Sequence, residues 1–178
     1  MRIVGTTLLG MLAAGSLALP DASAQQFSPP KSSGASTGTR IGLYGFGVRT
    51  GLDFKGDGQF VLGTTLDLGD LFSSRVRIRP SAEVGVFNGD NTYIGSFETL
   101  WRFTDDEEVA TPYVGLGVSL AGHDKCGADP SCPDVWLNLV FGFELHYRST
   151  FNWLVEYHGM DTLRRHRIYI GLTTRRGN

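Results

Sequence analysis

One stretch constrains this chain more than any other: residues 74–87, SRVRIRPSAEVGVF. Every second position is apolar (Val76, Ile78, Pro80, Ala82, Val84, Val86), and between them stand Arg75, Arg77, Arg79, Ser81, Glu83 and Gly85. Successive side chains on a strand point to opposite faces, so a period of two marks a strand with one greasy face and one polar face. Three arginines and a glutamate on one face are more charge than a solvated sheet surface needs. That face requires an enclosed place where the charges can pair.

The same alternation recurs along the chain. A first strand is predicted over 39–50, with Tyr44, Phe46 and Val48 opposite Gly45, Gly47 and Arg49. A second covers 59–68, setting Phe60, Leu62, Leu66 and Leu68 against Gly63, Thr65 and Asp67. The stretch 74–87 is the third. Pro80 is its difficulty, because proline cannot donate to a ladder; a bulge, or a strand starting after Ser74, would accommodate it. The fourth, 92–103, sets Tyr93, Phe97, Trp101 and Phe103 against Ser96, Glu98 and Arg102. The fifth, 111–122, sets Val114, Leu116, Val118 and Leu120 against Tyr113, Gly115, Gly117 and Ser119. The sixth, 134–147, is the clearest: Leu137, Leu139, Phe141, Phe143, Leu145 and Tyr147 oppose Asn138, Gly142, Glu144 and His146. The seventh, 151–159, pairs Phe151, Trp153, Val155 and Tyr157 with Asn152, Glu156 and His158. The eighth, 166–174, pairs Ile168, Ile170 and Leu172 with Arg167, Tyr169, Gly171 and Thr173. Turn chemistry separates them, most strongly at Asn88-Gly89-Asp90-Asn91. Eight strands, each of about the 10 residues that a tilted membrane strand needs, predict an all-β, antiparallel up-and-down barrel.

Alternation alone leaves open which face is inside. A soluble lipocalin-like carrier would turn the apolar face inward, and a membrane barrel turns it outward. Three features favour the membrane. Trp101, Phe103, Tyr147, Phe151 and Trp153 gather at turns on one rim, with Tyr93 and Tyr157 at the other, as interfacial aromatic girdles do. Glycines dot the polar face and suit a narrow interior. Lysine is scarce: Lys31, Lys55 and Lys125 only. The polar face then lines the lumen. It carries Asp67, Glu83, Glu98, Glu144 and Glu156 against Arg75, Arg77, Arg79, Arg102 and Arg167, joined by His146 and His158. Arginine forks pair bidentately with carboxylates, and buried charge is tolerable only when so paired. An eight-stranded barrel is just wide enough for side chains to fill, so no wide pore is expected.

The chain of 178 residues is one domain's worth. Residues 1–24 read as a secretory signal: Arg2, an apolar core, then Ala22-Ser23-Ala24, with cleavage after Ala24. Residues 25–38 are Pro/Ser/Gly-rich and read as a flexible linker, leaving 39–178 as the barrel. A net charge of −2 without a basic stripe gives no case for nucleic acid. Cys126 and Cys132 are expected to pair as a disulfide in an oxidising compartment; a metal pair helped by His123 and Asp124 is the alternative. Both termini fall at one rim, expected to be periplasmic. The turns 51–58, 88–91, 122–134 and 160–165 then face out of the cell.

RIRPSAEVGVF, NGDNTYIGSFETLWRF, PYVGLGVSLAG, FGFELHY, LVEYHGM and RIYIGLTTR together resemble the small outer-membrane β-barrel proteins of Gram-negative bacteria, the OmpA- and OmpW-like superfamily. The resemblance implies an outer-membrane location, lipid as the surrounding partner, and a ligand or surface partner met through the loops. A monomer is expected, with no metal and no cofactor. Such proteins usually end the last strand on an aromatic residue, whereas here Tyr169 is the last aromatic before TTRRGN. Some barrels of this size are lipid A deacylases, with a His and a nearby Ser on the outer surface. The nearest match is Glu156-Tyr157-His158-Gly159-Met160-Asp161, which lacks the serine. The expectation is a non-catalytic outer-membrane barrel, porin-like in fold, with an envelope-structural, surface-contact or very-small-solute role. A lipid-A-modifying enzyme using His158 and a soluble lipocalin-like carrier are its alternatives.

Overall fold

A computed structural model describes residues 38–55, 58–104, 108–128, 132–147 and 150–176. The proposed signal segment, its cleavage site and most of the linker lie outside the described residues. Eight strands follow one another: β1 Arg40–Asp53, β2 Gln59–Asp70, β3 Val76–Val86, β4 Thr92–Arg102, β5 Ala110–His123, β6 Asp134–His146, β7 Phe151–Met160 and β8 Arg165–Thr174. A single 3-10 turn, Cys126–Ala128, interrupts the β5–β6 connection. Each strand pairs antiparallel with the next, and β8 closes onto β1 from Arg167↔Asp53 to Thr173↔Gly47. The predicted strands lie within a few residues of these bounds. The largest differences are at β1, which runs on to Asp53, and β3, which starts at Val76.

The register explains Pro80. Between the pairs Thr65↔Ser81 and Asp70↔Arg77 the β2–β3 ladder shifts, leaving Pro80 without a β2 partner while it still faces Phe97 on β4. A bulge places the missing donor where no bond is needed. Gly69 sits in that bulge at φ 112°, and a Cβ there would strike the Arg40 carbonyl.

The faces divide as the alternation requires. Leu137, Leu116, Phe97 and Ile170 stand outward and are 52–67% exposed. Arg167, Glu98, His158 and Tyr169 point inward and are at most 0% exposed. Leu139, Phe141 and Phe143 share the outward face of β6, while Asn138 and Glu144 on the same strand are buried. A carrier with a greasy interior is therefore not what this chain builds. Trp101, Phe103, Tyr147, Phe151 and Trp153 cluster at the rim holding the termini, and Tyr93 and Tyr157 at the opposite rim. Tyr147 and Trp153 meet edge to face with centroids 6.1 Å apart.

The interior is not purely polar. Leu100, Tyr113, Val140 and Leu154 form one buried cluster. Ile94, Ala121 and Met160, with Trp136 packed against them, form another. All come from the β4–β7 wall and sit in phase with inward polar residues of their own strands.

Candidate functional site: a charge-filled lumen

Six arginines (Arg49, Arg77, Arg79, Arg102, Arg165, Arg167) and six carboxylates (Asp53, Asp70, Glu83, Glu98, Glu144, Glu156) are buried among the described residues. Arg176 and Asp67, half-buried at the terminal end, add one of each sign. They stack in three tiers.

The tier at the rim away from the termini centres on Asp53. Its Oδ2 accepts from Arg165 and from Arg167 Nε, the latter at 2.7 Å. Arg165 also donates to Gln59 Oε1 at 3.2 Å and lies over the Trp136 ring, 5.3 Å from its centroid. Gln59 in turn donates to the Asp90 carbonyl at 2.7 Å, tying the lumen to the β3–β4 turn.

The middle tier is the densest. Arg49 joins Glu83 and Glu156, reaching Glu156 Oε2 at 2.6 Å and Ser81 Oγ at 3.1 Å. Arg167 Nη1 and the Tyr169 hydroxyl donate to Glu83 Oε2 at 2.7 and 2.6 Å. Arg79 donates through Nε and Nη2 to Glu98 Oε2 at 2.9 and 2.7 Å, and pairs with Glu156 through Nη1. Tyr113 donates to Glu156 Oε1 at 2.5 Å. The Arg49 guanidinium lies 4.7 Å from the Tyr169 ring centroid, a cation–π contact between buried groups. His158 Nε2 lies 3.3 Å from Arg49 Nη1. The same Nε2 lies 3.2 Å from Glu156 Oε2, and Nδ1 lies 3.6 Å from Glu98 Oε1, so the ring sits among charges of both signs. Gly142 leaves room for this tier, because a Cβ there would come 2.7 Å from the Tyr113 ring and 2.9 Å from Glu156 Cγ.

The tier at the terminal end is looser. Arg77 stands 3.6 Å from Asp67 and 3.9 Å from Glu144. Asn152 donates to Glu144 at 3.3 Å. Arg176, beyond β8, folds into the mouth, pairs with Asp67 and Asp70, and covers the Tyr44 ring at 4.7 Å. Beneath it Asp67, Arg77, Arg79 and Glu144 line a cavity of about 30 Å³, room for one or two waters.

The geometry thus gathers Asp67, Arg77, Arg79, Glu83, Glu98, Glu144, Glu156, His158 and Arg167 in the lumen. Arg102 is buried at its terminal end and His146 half-buried nearby. Arg75 is a correction: it lies in the turn before β3 and is exposed, because the strand begins at Val76. Its carbonyl accepts from the Arg102 amide instead. Sequence reasoning placed Arg49 on the polar face yet left it out of the charge set. It assigned Asp53 and Arg165 to turns and gave Arg176, Tyr113 and Tyr169 no part. Parity along the strands carried the signal for Arg49, Tyr113 and Tyr169. Parity also held for Ile94, Leu100, Val140 and Leu154, each an even number of positions from a recognised inward residue.

His158 faces the lumen and is fully buried, so a lipid outside the barrel does not reach it. Cys126 and Cys132 are joined as a disulfide in the β5–β6 connection.

No protein-family model and no curated protein sequence matches the chain. Its structure is similar to the N-terminal β-barrel domain of Pseudomonas aeruginosa OprF, with TM-score 0.56 and 11% identity, over 75% of this chain and 98% of that one. It is similar also to Neisserial surface protein A (NspA), with TM-score 0.53 and 11% identity, over 74% and 94% of the two chains. The outer membrane enzyme PagL overlaps at TM-score 0.44 and 11% identity, over 73% and 97%. The first two likenesses show the fold: an eight-stranded barrel of the outer-membrane type.

Proposed function

We propose that the chain is an integral outer-membrane barrel with a sealed lumen, non-catalytic, which anchors its short connecting loops at the cell surface. One observation carries this reading. Arginine–carboxylate pairs fill the lumen through all three tiers. Moving an ion past them means breaking pairs whose partners have no water to turn to, which costs several kcal/mol per exposed charge, on the order of 3–5 for each. The outward aliphatic face and the aromatics at both rims support immersion in lipid. The enclosed His158 argues against the lipid-A-modifying alternative, which needs that ring on the outer surface.

The test is two-fold. Outer membranes separated from inner membranes should contain the protein, and its gel mobility should shift on heating, as folded barrels' does. The purified barrel in planar bilayers should then show no stable openings. Recovery in the aqueous fraction would defeat the membrane reading, and large steady conductance would defeat the sealed lumen.

A further inference from the structure

The longest connection, between β5 and β6, holds chemistry that the lumen does not use. His123 closes β5, Cys126 opens the 3-10 turn, and Cys132 stands just before β6. Both Sγ atoms and a ring nitrogen of His123 lie within 4.8 Å of one another. We propose that this loop is a redox-selected zinc site: closed by the disulfide when oxidised, and ligated by Cys126, Cys132 and His123 when reduced.

Three observations carry it. First, the site holds its shape without the sulfur–sulfur bond. Asp124 accepts from the Tyr93 hydroxyl at 2.8 Å and from the Asn91 amide at 3.3 Å, and Lys125 pairs with Asp90 at 2.9 Å. The His123–Cys126 segment is thereby fastened to the β3–β4 turn and the start of β4, and Cys132 stands two residues before β6. Reduction leaves two thiols facing each other on a fixed frame. Second, the surroundings suit thiolates. The His123 amide N–H points at Cys126 Sγ at 3.1 Å, a donor that favours the anion. A Cβ on Gly122 would lie 3.3 Å from Cys126 Sγ and 3.9 Å from Cys132 Sγ, so the bare glycine spares Cys126 Sγ a tight contact. Third, the donor set is soft. Two thiolates and an imidazole match zinc and leave a fourth position to water. His123, whose Nδ1 accepts from the Lys125 amide at 3.2 Å, is the third ligand, because a ring nitrogen of His123 and both Sγ atoms lie within 4.8 Å of one another.

The chemistry balances. A dithiol reductant supplies two electrons and two protons; the Cys126–Cys132 bond breaks, two thiols form, and the reductant closes into its own disulfide. Zinc then displaces both thiol protons to solvent. The site lies on a loop outside the lumen, so it stands whether or not the lumen conducts.

The experiment uses the whole barrel in detergent, reduced with dithiothreitol, desalted without oxygen, and titrated with Co²⁺ and then Zn²⁺. The reduced protein should take one Co²⁺ per chain with a thiolate-to-cobalt charge-transfer band that Zn²⁺ abolishes. The oxidised protein should show no such band. His123→Ala should weaken binding at least about tenfold, and Cys126→Ser with Cys132→Ser should remove the band while heat-shifted gel mobility persists. Absence of the band in reduced protein, equal affinity in His123→Ala, or loss of the folded mobility on reduction would each overturn the proposal.

Discussion

The middle of the lumen and its terminal end hold the same chemical pair under opposite conditions. Arg49 and Glu83 meet in the middle with both side chains 0% exposed. Arg176 and Asp67 meet at the mouth with 10% and 18% of theirs exposed. In the middle, every charge has two or more partners, and aromatic rings of Tyr113 and Tyr169 close the gaps. At the mouth, Arg77 stands 3.6 Å from Asp67 and 3.9 Å from Glu144, beside a cavity large enough for water. Water beside a charge replaces a lost partner; a packed wall does not. The middle tier therefore bears more of the barrel's stability than the mouth, and on the proposed reading it is also the seal.

Substitutions sharpen that contrast. The largest effect belongs to Arg49→Met, which leaves Glu83 and Glu156 facing each other without their shared cation. Breaking one side of a buried pair costs about 3–5 kcal/mol, so urea unfolding of the barrel in lipid vesicles should lose that much. A loss under about 1 kcal/mol would mean that water already reaches the middle. Removing both signs together should hurt less. Arg79→Met with Glu98→Leu deletes a pair whose oxygen and nitrogen meet at 2.7 Å. The double variant should be at least about 2 kcal/mol more stable than the sum of its single variants, a coupling read from a double-mutant cycle. Arg176→Ala should cost only about 1 kcal/mol and leave planar-bilayer conductance at baseline, because the middle tier still blocks the path. Conductance in that variant would relocate the seal to the mouth. Smallest is Lys55→Ala, which breaks a rim pair with Asp161 at 3.6 Å and should change stability by less than about 0.5 kcal/mol.

The same contrast marks what could be read from the amino-acid order. Strand parity is local, so β6 was plain from its run of Leu137 to Tyr147, and the arginines of residues 75–79 announced an enclosed polar face. Partners were not legible. Glu83 meets Arg167 across 84 positions of chain, and no local pattern reports that. Asp53 and Arg165 looked like turn residues because β1 and β8 run further than their apolar alternation does. Arg176 lies past the last strand and reaches Asp67 only because the chain folds back into the mouth. Pro80 signalled an irregularity, but its cause lies in the extra residue of β2. The apolar patches of Leu100, Val140 and Leu154 were hidden by the opposite error: charged neighbours drew attention away from greasy residues in the same phase.

The seam between β1 and β8 imposes an order of events. Gly47 can meet Thr173 only after nearly every intervening residue has been made. Until then the nascent sheet has two raw edges and an oily exterior, the state most open to sticking to its own kind. On the proposed outer-membrane reading, insertion is therefore coupled to zipping the first strand against the last.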